Sequence, residues 1–249
     1  MKLIIDLDGT LLHNRCANAD AVAFMRELRR RQVELVVMTN SIKSPAGIVD
    51  RLRKADIEVE LANILNPIHS INTYLNRHGY KKVYIVGSEP EREQVKADCT
   101  AENPQLVILL DFEKKNVAYN ELQKIFLFMQ EGIPVVSASG SVFYNTENGK
   151  CLDTGAFVRL FEAAADVSIQ ILGKPPAEYF EAGIALLGAQ NSDVLVIGDD
   201  WRTDIVGAQN VGCRSVLVRT GKYAAGDENR CQATYVINNL MELFETIPF

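Results

Sequence analysis

Asp6 and Asp8 lie two residues apart, directly after the apolar run Leu3-Ile4-Ile5, and lead into Gly9-Thr10-Leu11. Carboxylates this close disfavour joint ionisation, so a metal neutralises them or one keeps its proton. Gly9 allows the chain to leave a strand at dihedrals that other residues avoid. Three further apolar runs end in reactive residue types. Val33–Met38 is followed by Thr39, Asn40 and Ser41, whose hydroxyls and backbone N–H groups suit phosphate oxygens. Ile169–Gly173 is followed by Lys174-Pro175-Pro176. The proline restricts Lys174 to extended dihedrals and so aims a point charge suited to phosphate. Val194–Ile197 is followed by Gly198-Asp199-Asp200-Trp201-Arg202-Thr203-Asp204, three carboxylates in six residues at the start of a helical pattern. Taken singly, each set also reads as a turn, a surface lysine or a helix cap.

Together they say more. Neighbouring strands of one parallel sheet would bring all four sets to its carboxyl edge, where open α/β sheets bind ligands. Asp6, Asp8, Asp199 and Asp204 would repel one another there without a divalent cation. All-oxygen ligation suits Mg²⁺, which keeps several waters and takes one or two carboxylates plus a substrate phosphate.

The elements that must hold these residues are legible as alternating patterns. Short apolar runs at 3–7, 33–38, 83–86, 106–110, 133–136, 169–172, 194–197 and 215–218 read as buried strands. Amphipathic stretches at 19–31, 45–55, 68–77, 118–130, 154–165, 177–187 and 203–210 read as helices. This alternation predicts βαβ units: an α/β fold with a Rossmann-like, doubly wound parallel sheet. The chain has 249 residues, 47% of them apolar and 23% charged, which excludes disorder and suits one core with a sizeable insertion. A net charge of −6 argues against a nucleic-acid polymer or an anionic membrane as partner. No apolar run approaches bilayer length, and a secretory segment would not carry Asp6 and Asp8. Five widely spaced cysteines without a C-x-x-C pair suggest reduced, mostly buried thiols and a cytoplasmic protein.

The ordered series D-L-D-G-T-L, M-T-N, G-K-P and G-D-D-W-R-T-D resembles the haloacid dehalogenase (HAD) superfamily of aspartate-nucleophile phosphatases. The strings T-N-S, L-G-K-P and G-D-D-x-R-x-D-I-x-G-A-Q, with V-G-C-R-S-V-L-V-R-T-G-K-Y, are similar to its NagD-like subclass IIA, which carries a large α/β cap. Many relatives have Asn-Pro-Asp in the cap where this chain has Ser139-Gly140-Ser141. The resemblance implies that Asp6 is the nucleophile, forming an aspartyl-phosphate, and that Asp8 protonates the leaving oxygen and later deprotonates water. It implies that Thr39, Asn40 and Lys174 hold the phosphoryl group. It implies that Asp6, the Asp8 backbone carbonyl and Asp199 bind Mg²⁺, with Asp200 or Asp204 orienting them from behind. The substrate expected is a small phosphorylated metabolite, and a homodimer is admitted because members often dimerise.

The interval between Asn40 and Lys174 is far longer than the dozen or so residues a crossover requires. Residues 79–168 contain strands and helices of their own. They are therefore expected to form an inserted α/β cap over the catalytic core of residues 1–78 and 169–249. Thr220-Gly221-Lys222 is not a P-loop, since Val216 stands where the first glycine belongs and Tyr223 where Ser or Thr belongs. His13, His69 and His78 show no metal-binding spacing. Two other readings remain: a non-enzymatic phospho-receiver, and a catalytically idle member acting through protein contacts. A receiver carries its acceptor on a later strand than its acidic pair and is about half this length. An idle member would have no need of every chemistry-bearing position being filled.

Overall fold

The structure, a computed structural model, describes residues 1–14, 16–112 and 117–247. The first part of the chain forms β1 (Lys2–Asp6), α1 (Ala21–Arg30), β2 (Leu35–Met38), α2 (Pro45–Lys54) and β3 (Ile64–Leu65). Then come α3 (Pro67–His78), β4 (Lys82–Val86), β5 (Asp98–Cys99), β6 (Leu106–Leu109), α4 (Tyr119–Gln130) and β7 (Val135–Ser137). A hairpin of β8 (Phe143–Thr146) and β9 (Gly149–Leu152) follows, with α5 (Thr154–Ala165) and β10 (Gln170–Ile171). Next come α6 (Ala177–Leu186), β11 (Val194–Gly198), α7 (Val206–Asn210), β12 (Arg214–Val218) and β13 (Tyr235–Ile237), and a short helix, Leu243–Thr246, follows.

Two parallel sheets result. The first has strand order β13-β12-β11-β1-β2-β3. Side chains alternate across it, as a doubly covered parallel sheet requires. Leu3, Ile5 and Val37 pack against Phe24, Leu28, Ile48 and Leu52 of α1 and α2, while Ile4, Val36 and Met38 pack against Phe180, Ile184 and Ala208 of α6 and α7. The predicted start of α2 is present: Pro45 occupies the first turn and the Ser44 hydroxyl accepts from the Gly47 N–H at 3.1 Å.

The second sheet has order β10-β7-β6-β4-β5. Val83 and Ile85 face Ile68, Ile71 and Leu75 of α3, while Tyr84 and Val86 face Ile125, Phe128 and Phe161 of α4 and α5. This moves the seam from the positions expected. Helix α3 lies before residue 79 yet buries its apolar face on the second sheet. The run at 169–172, read as a core strand, pairs with β7 in that sheet. Both units are α/β with parallel sheets, so alternation alone cannot say to which one a short apolar run belongs. The second unit, read by packing and pairing, thus takes in residues from about 67 to 172.

The helix expected at 203–210 is also different. Trp201–Ile205 forms a wide π-type turn that runs into α7. Of the five cysteines only Cys213 is buried; Cys16 and Cys99 are exposed and none is paired. The expectation of mostly buried thiols does not hold: Cys16 and Cys99 sit on two-residue strands at the surface, and Cys151 and Cys231 are only partly covered. No helix among the described residues is long and apolar enough to cross a membrane.

Candidate active site

The carboxyl ends of β1, β2, β11 and β12 open into a cleft of about 680 Å³, roofed by residues of the second unit including Ser141, Tyr144 and Asp153. Asp6 is the last residue of β1; Thr39 and Asp199 directly follow β2 and β11. Lys174 arrives differently from its expected place at the end of a core strand. It sits on the segment returning from the second unit to α6. Asn40 holds it there: its Oδ1 accepts from the Lys174 N–H at 2.7 Å and its Nδ2 donates to the Lys174 carbonyl at 3.3 Å.

The Lys174 ammonium lies 2.5 Å from Asp6 Oδ1 and 2.6 Å from Asp204 Oδ1, with all three side chains almost wholly buried. Carboxylate oxygens of Asp6, Asp199 and Asp204 lie within 4.8 Å of one another. Asp6 Oδ2 is buried in the cleft wall and has no hydrogen-bond partner among the described residues. Burial, opposed by Lys174 and reinforced by Asp199, pushes Asp6 up to about 7. Asp199 and Asp204 are also pushed up. Burial is again the main cause, with the charge of Asp204 adding to it for Asp199 and Lys174 opposing it for Asp204. Burial alone would depress Lys174, but the charges of Asp204 and Asp6 outweigh it and hold the ammonium protonated. Fully ionised, three carboxylates and one ammonium leave two negative charges, the complement of one divalent cation. The orphaned Asp6 oxygen and the all-oxygen donors fit such an ion.

Two glycines keep this cluster tight. A Cβ on Gly9 (φ +108°) would lie 2.2 Å from Asp199 Oδ2, and one on Gly198 would lie 2.3 Å from the Asp204 carboxylate. The Thr10 hydroxyl and the Lys222 N–H both donate to Asp199, at 3.1 and 2.6 Å.

The remaining expected residues are placed as follows. Thr39 is buried, its hydroxyl accepting from the Ser41 N–H at 2.9 Å and its carbonyl from the Tyr179 hydroxyl at 2.7 Å. Asn40 lines the cleft, but both ends of its amide engage Lys174 rather than open space. The Asp8 side chain is half-exposed and lies apart from the other carboxylates, bonded to Arg51 at 2.6 Å. Asp204, which the sequence left level with Asp200, is the one that joins Asp6 and Asp199. Asp200 turns instead to the Arg202 N–H and to Lys222. Arg51 and Lys222 were missed. Arg51 gives no motif signal, whereas Lys222 belongs to the T-G-K string, which carries part of the family resemblance and is no P-loop but gives no site role by itself.

A haloacid dehalogenase-like hydrolase model matches residues 3–98, and a HAD-hydrolase-like model matches residues 171–243. The chain belongs to the haloacid dehalogenase-like hydrolases. Between them these two matches carry every strand end that lines the cleft floor. Within this family the chain is 28% identical over 231 residues to human haloacid dehalogenase-like hydrolase domain-containing protein 2, covering 92% of this chain and 87% of that one. It is 27% identical over 254 residues to bovine phospholysine phosphohistidine inorganic pyrophosphate phosphatase, covering 98% and 93%. Its fold is similar to that of NagD from E. coli K-12, with TM-score 0.85 at 21% identity over 97% of each chain. The likeness spans both units, so the second sheet and its helices belong to the shared fold.

Proposed function

We propose that this chain is a Mg²⁺-dependent phosphomonoester hydrolase acting on a small phosphorylated metabolite through an aspartyl-phosphate on Asp6. The observation that carries the reading is the buried Asp6 carboxylate, one oxygen held by Lys174 and the other unpartnered at the cleft wall. The naming of a 27% identical relative as a phosphatase supports the reaction class. In this reading an Asp6 oxygen attacks phosphorus and the ester oxygen leaves, taking a proton from Asp8. Water then attacks the acyl phosphate, with Asp8 receiving its proton. Lys174 and the Thr39 hydroxyl face the phosphoryl oxygens and offset their charge as the transition state forms. Asp6, the Asp8 carbonyl and Asp199 would hold the magnesium ion, and Asp204 and Asp200 would fix the positions of Lys174 and of the loop around Asp199. When bound, the ion supplies charge neutralisation for phosphate among carboxylates.

The second unit acts as a cap, excluding water and enclosing substrates of limited size. The cleft volume supports a metabolite rather than a polymer. The unpaired cysteines favour a cytoplasmic setting. The test is release of phosphate from para-nitrophenyl phosphate with and without Mg²⁺, followed by a screen of phosphorylated metabolites. A pure, folded protein that releases none from any ester in the presence of Mg²⁺ would overturn the reading.

A further inference from the structure

Thr220, Gly221 and Lys222, just beyond β12, touch both units of the molecule within three residues. The Thr220 hydroxyl donates to the Gly9 carbonyl at 2.8 Å and so ties down the turn that follows Asp6 and Asp8. Gly221 has φ +54°, and a Cβ there would lie 2.1 Å from Asp199 Oδ2. Its carbonyl accepts from the Asn145 side chain of hairpin strand β8 at 2.9 Å. The Lys222 N–H bonds Asp199, while its ammonium donates to Ser141 Oγ of the second unit at 2.5 Å and pairs with Asp200 at 3.3 Å. That ammonium is largely buried. Burial opposes its charge, but Asp200, Asp199 and the second unit's Asp153 outweigh burial and keep it protonated.

We infer that Lys222 is a positioning residue that latches the second unit over the cleft and sets the Asp199 carboxylate in the same act. The inference rests on the proposed phosphatase reading for its consequence in turnover, though not for the latch itself. A charged hydrogen bond across a partly desolvated contact is strong enough to bias closure, and its backbone partner is the carboxylate on which the cluster depends.

Trp201, the single tryptophan, provides the readout. It lines a cavity of about 490 Å³ at the seam, opposite Val142, Phe143 and Val158 of the second unit. Lys222→Met, Ser141→Ala and the double variant are compared with wild type for acrylamide quenching of Trp201 and for KM and kcat on para-nitrophenyl phosphate. Each single variant is expected to increase quenching and raise KM about tenfold, the order for one lost charge-assisted hydrogen bond. The double variant should be no worse than Lys222→Met, because both remove one contact. Lys222→Arg should recover part of the loss, which guards against a folding defect. Unchanged quenching and KM in Lys222→Met, or fully additive effects in the double variant, would overturn the latch. Quenching requires no turnover. A protein without phosphatase activity therefore sinks the functional reading and still leaves the latch decided.

Discussion

Asp6 is held between two demands. Its carboxylate must be ionised to attack phosphorus, yet burial pushes it up to about 7 against the opposing charge of Lys174. Replacing it by Asn keeps shape and removes the nucleophile, so Asp6→Asn is expected to lose about a thousandfold or more of kcat with an unchanged circular dichroism spectrum. Retention of a tenth of the wild-type rate would exclude Asp6 from that role. The same burial links stability to pH. With a folded value near 7 against an ordinary 3.8, the native state keeps a proton between those limits that the unfolded chain has released. The contribution of this cluster to the stability of the metal-free protein is therefore greatest below about pH 4 and falls as pH rises towards 7, with Asp199 and Asp204 acting in the same direction as Asp6. Tm of EDTA-treated protein should drop between pH 5 and pH 7, and Mg²⁺ should reduce the drop by favouring the ionised carboxylates. A flat or rising Tm without metal would contradict this account of the cluster.

At the scale of elements, strand ends and glycine turns decide how closely the carboxylates approach. Gly221→Ala would drive a methyl into Asp199, and a displacement of about 1 Å in such a site typically lowers turnover about a hundredfold. Gly212 makes a matched control. It also has positive φ, at +70°, but nothing lies within 4 Å of its Cβ direction. Gly212→Ala should cost about 1–2 kcal/mol of stability and leave kcat/KM unchanged, whereas Gly221→Ala should lose activity and more stability than Gly212→Ala, since its Cβ would also lie 2.6 Å from Gly9 Cα. Equal kinetic effects of the two would mean that backbone conformation, not contact with Asp199, matters at Gly221. Most strands and helices were legible because each repeats its period over four or more residues. The two-residue strand β10 could not reveal its sheet. Hairpin β8–β9 was missed since Phe143-Tyr144-Asn145-Thr146 is only partly buried and shows no alternation.

At the scale of the whole molecule, the two units have separate apolar cores. Those of the first sheet draw no residue from 67–172 except through the connecting chain. Replacing residues 67–172 by a short linker should leave a soluble first unit that binds Mg²⁺ in titration calorimetry but no longer discriminates among phosphate esters. Replacing only 79–168 should aggregate, because Ile68, Ile71 and Leu75 would be stripped of the sheet they cover. The opposite ranking in size-exclusion chromatography would restore the earlier boundary. In the intact protein, small phosphate esters should be turned over faster than any folded phosphoprotein, since the second unit roofs the cleft. Faster dephosphorylation of a folded protein would remove the cap from the mechanism.

The sequence by itself determined which donors the site has and the order in which the chain supplies them. D-x-D-G-T, T-N-S, K-P-P and G-D-D are local strings, and a strand end is a local event that hydrophobic runs disclose. Contacts between residues far apart in the chain were decided only by the tertiary structure. Asp204, inside the π-type turn at Trp201–Ile205, joins Asp6 and Asp199, while Asp200, which caps that turn, reaches Lys222. Asp8 finds Arg51 on α2, and Lys222 finds Ser141 across the seam. No spacing rule encodes such pairs. Each depends on how elements far apart in the chain pack together, which no local string specifies.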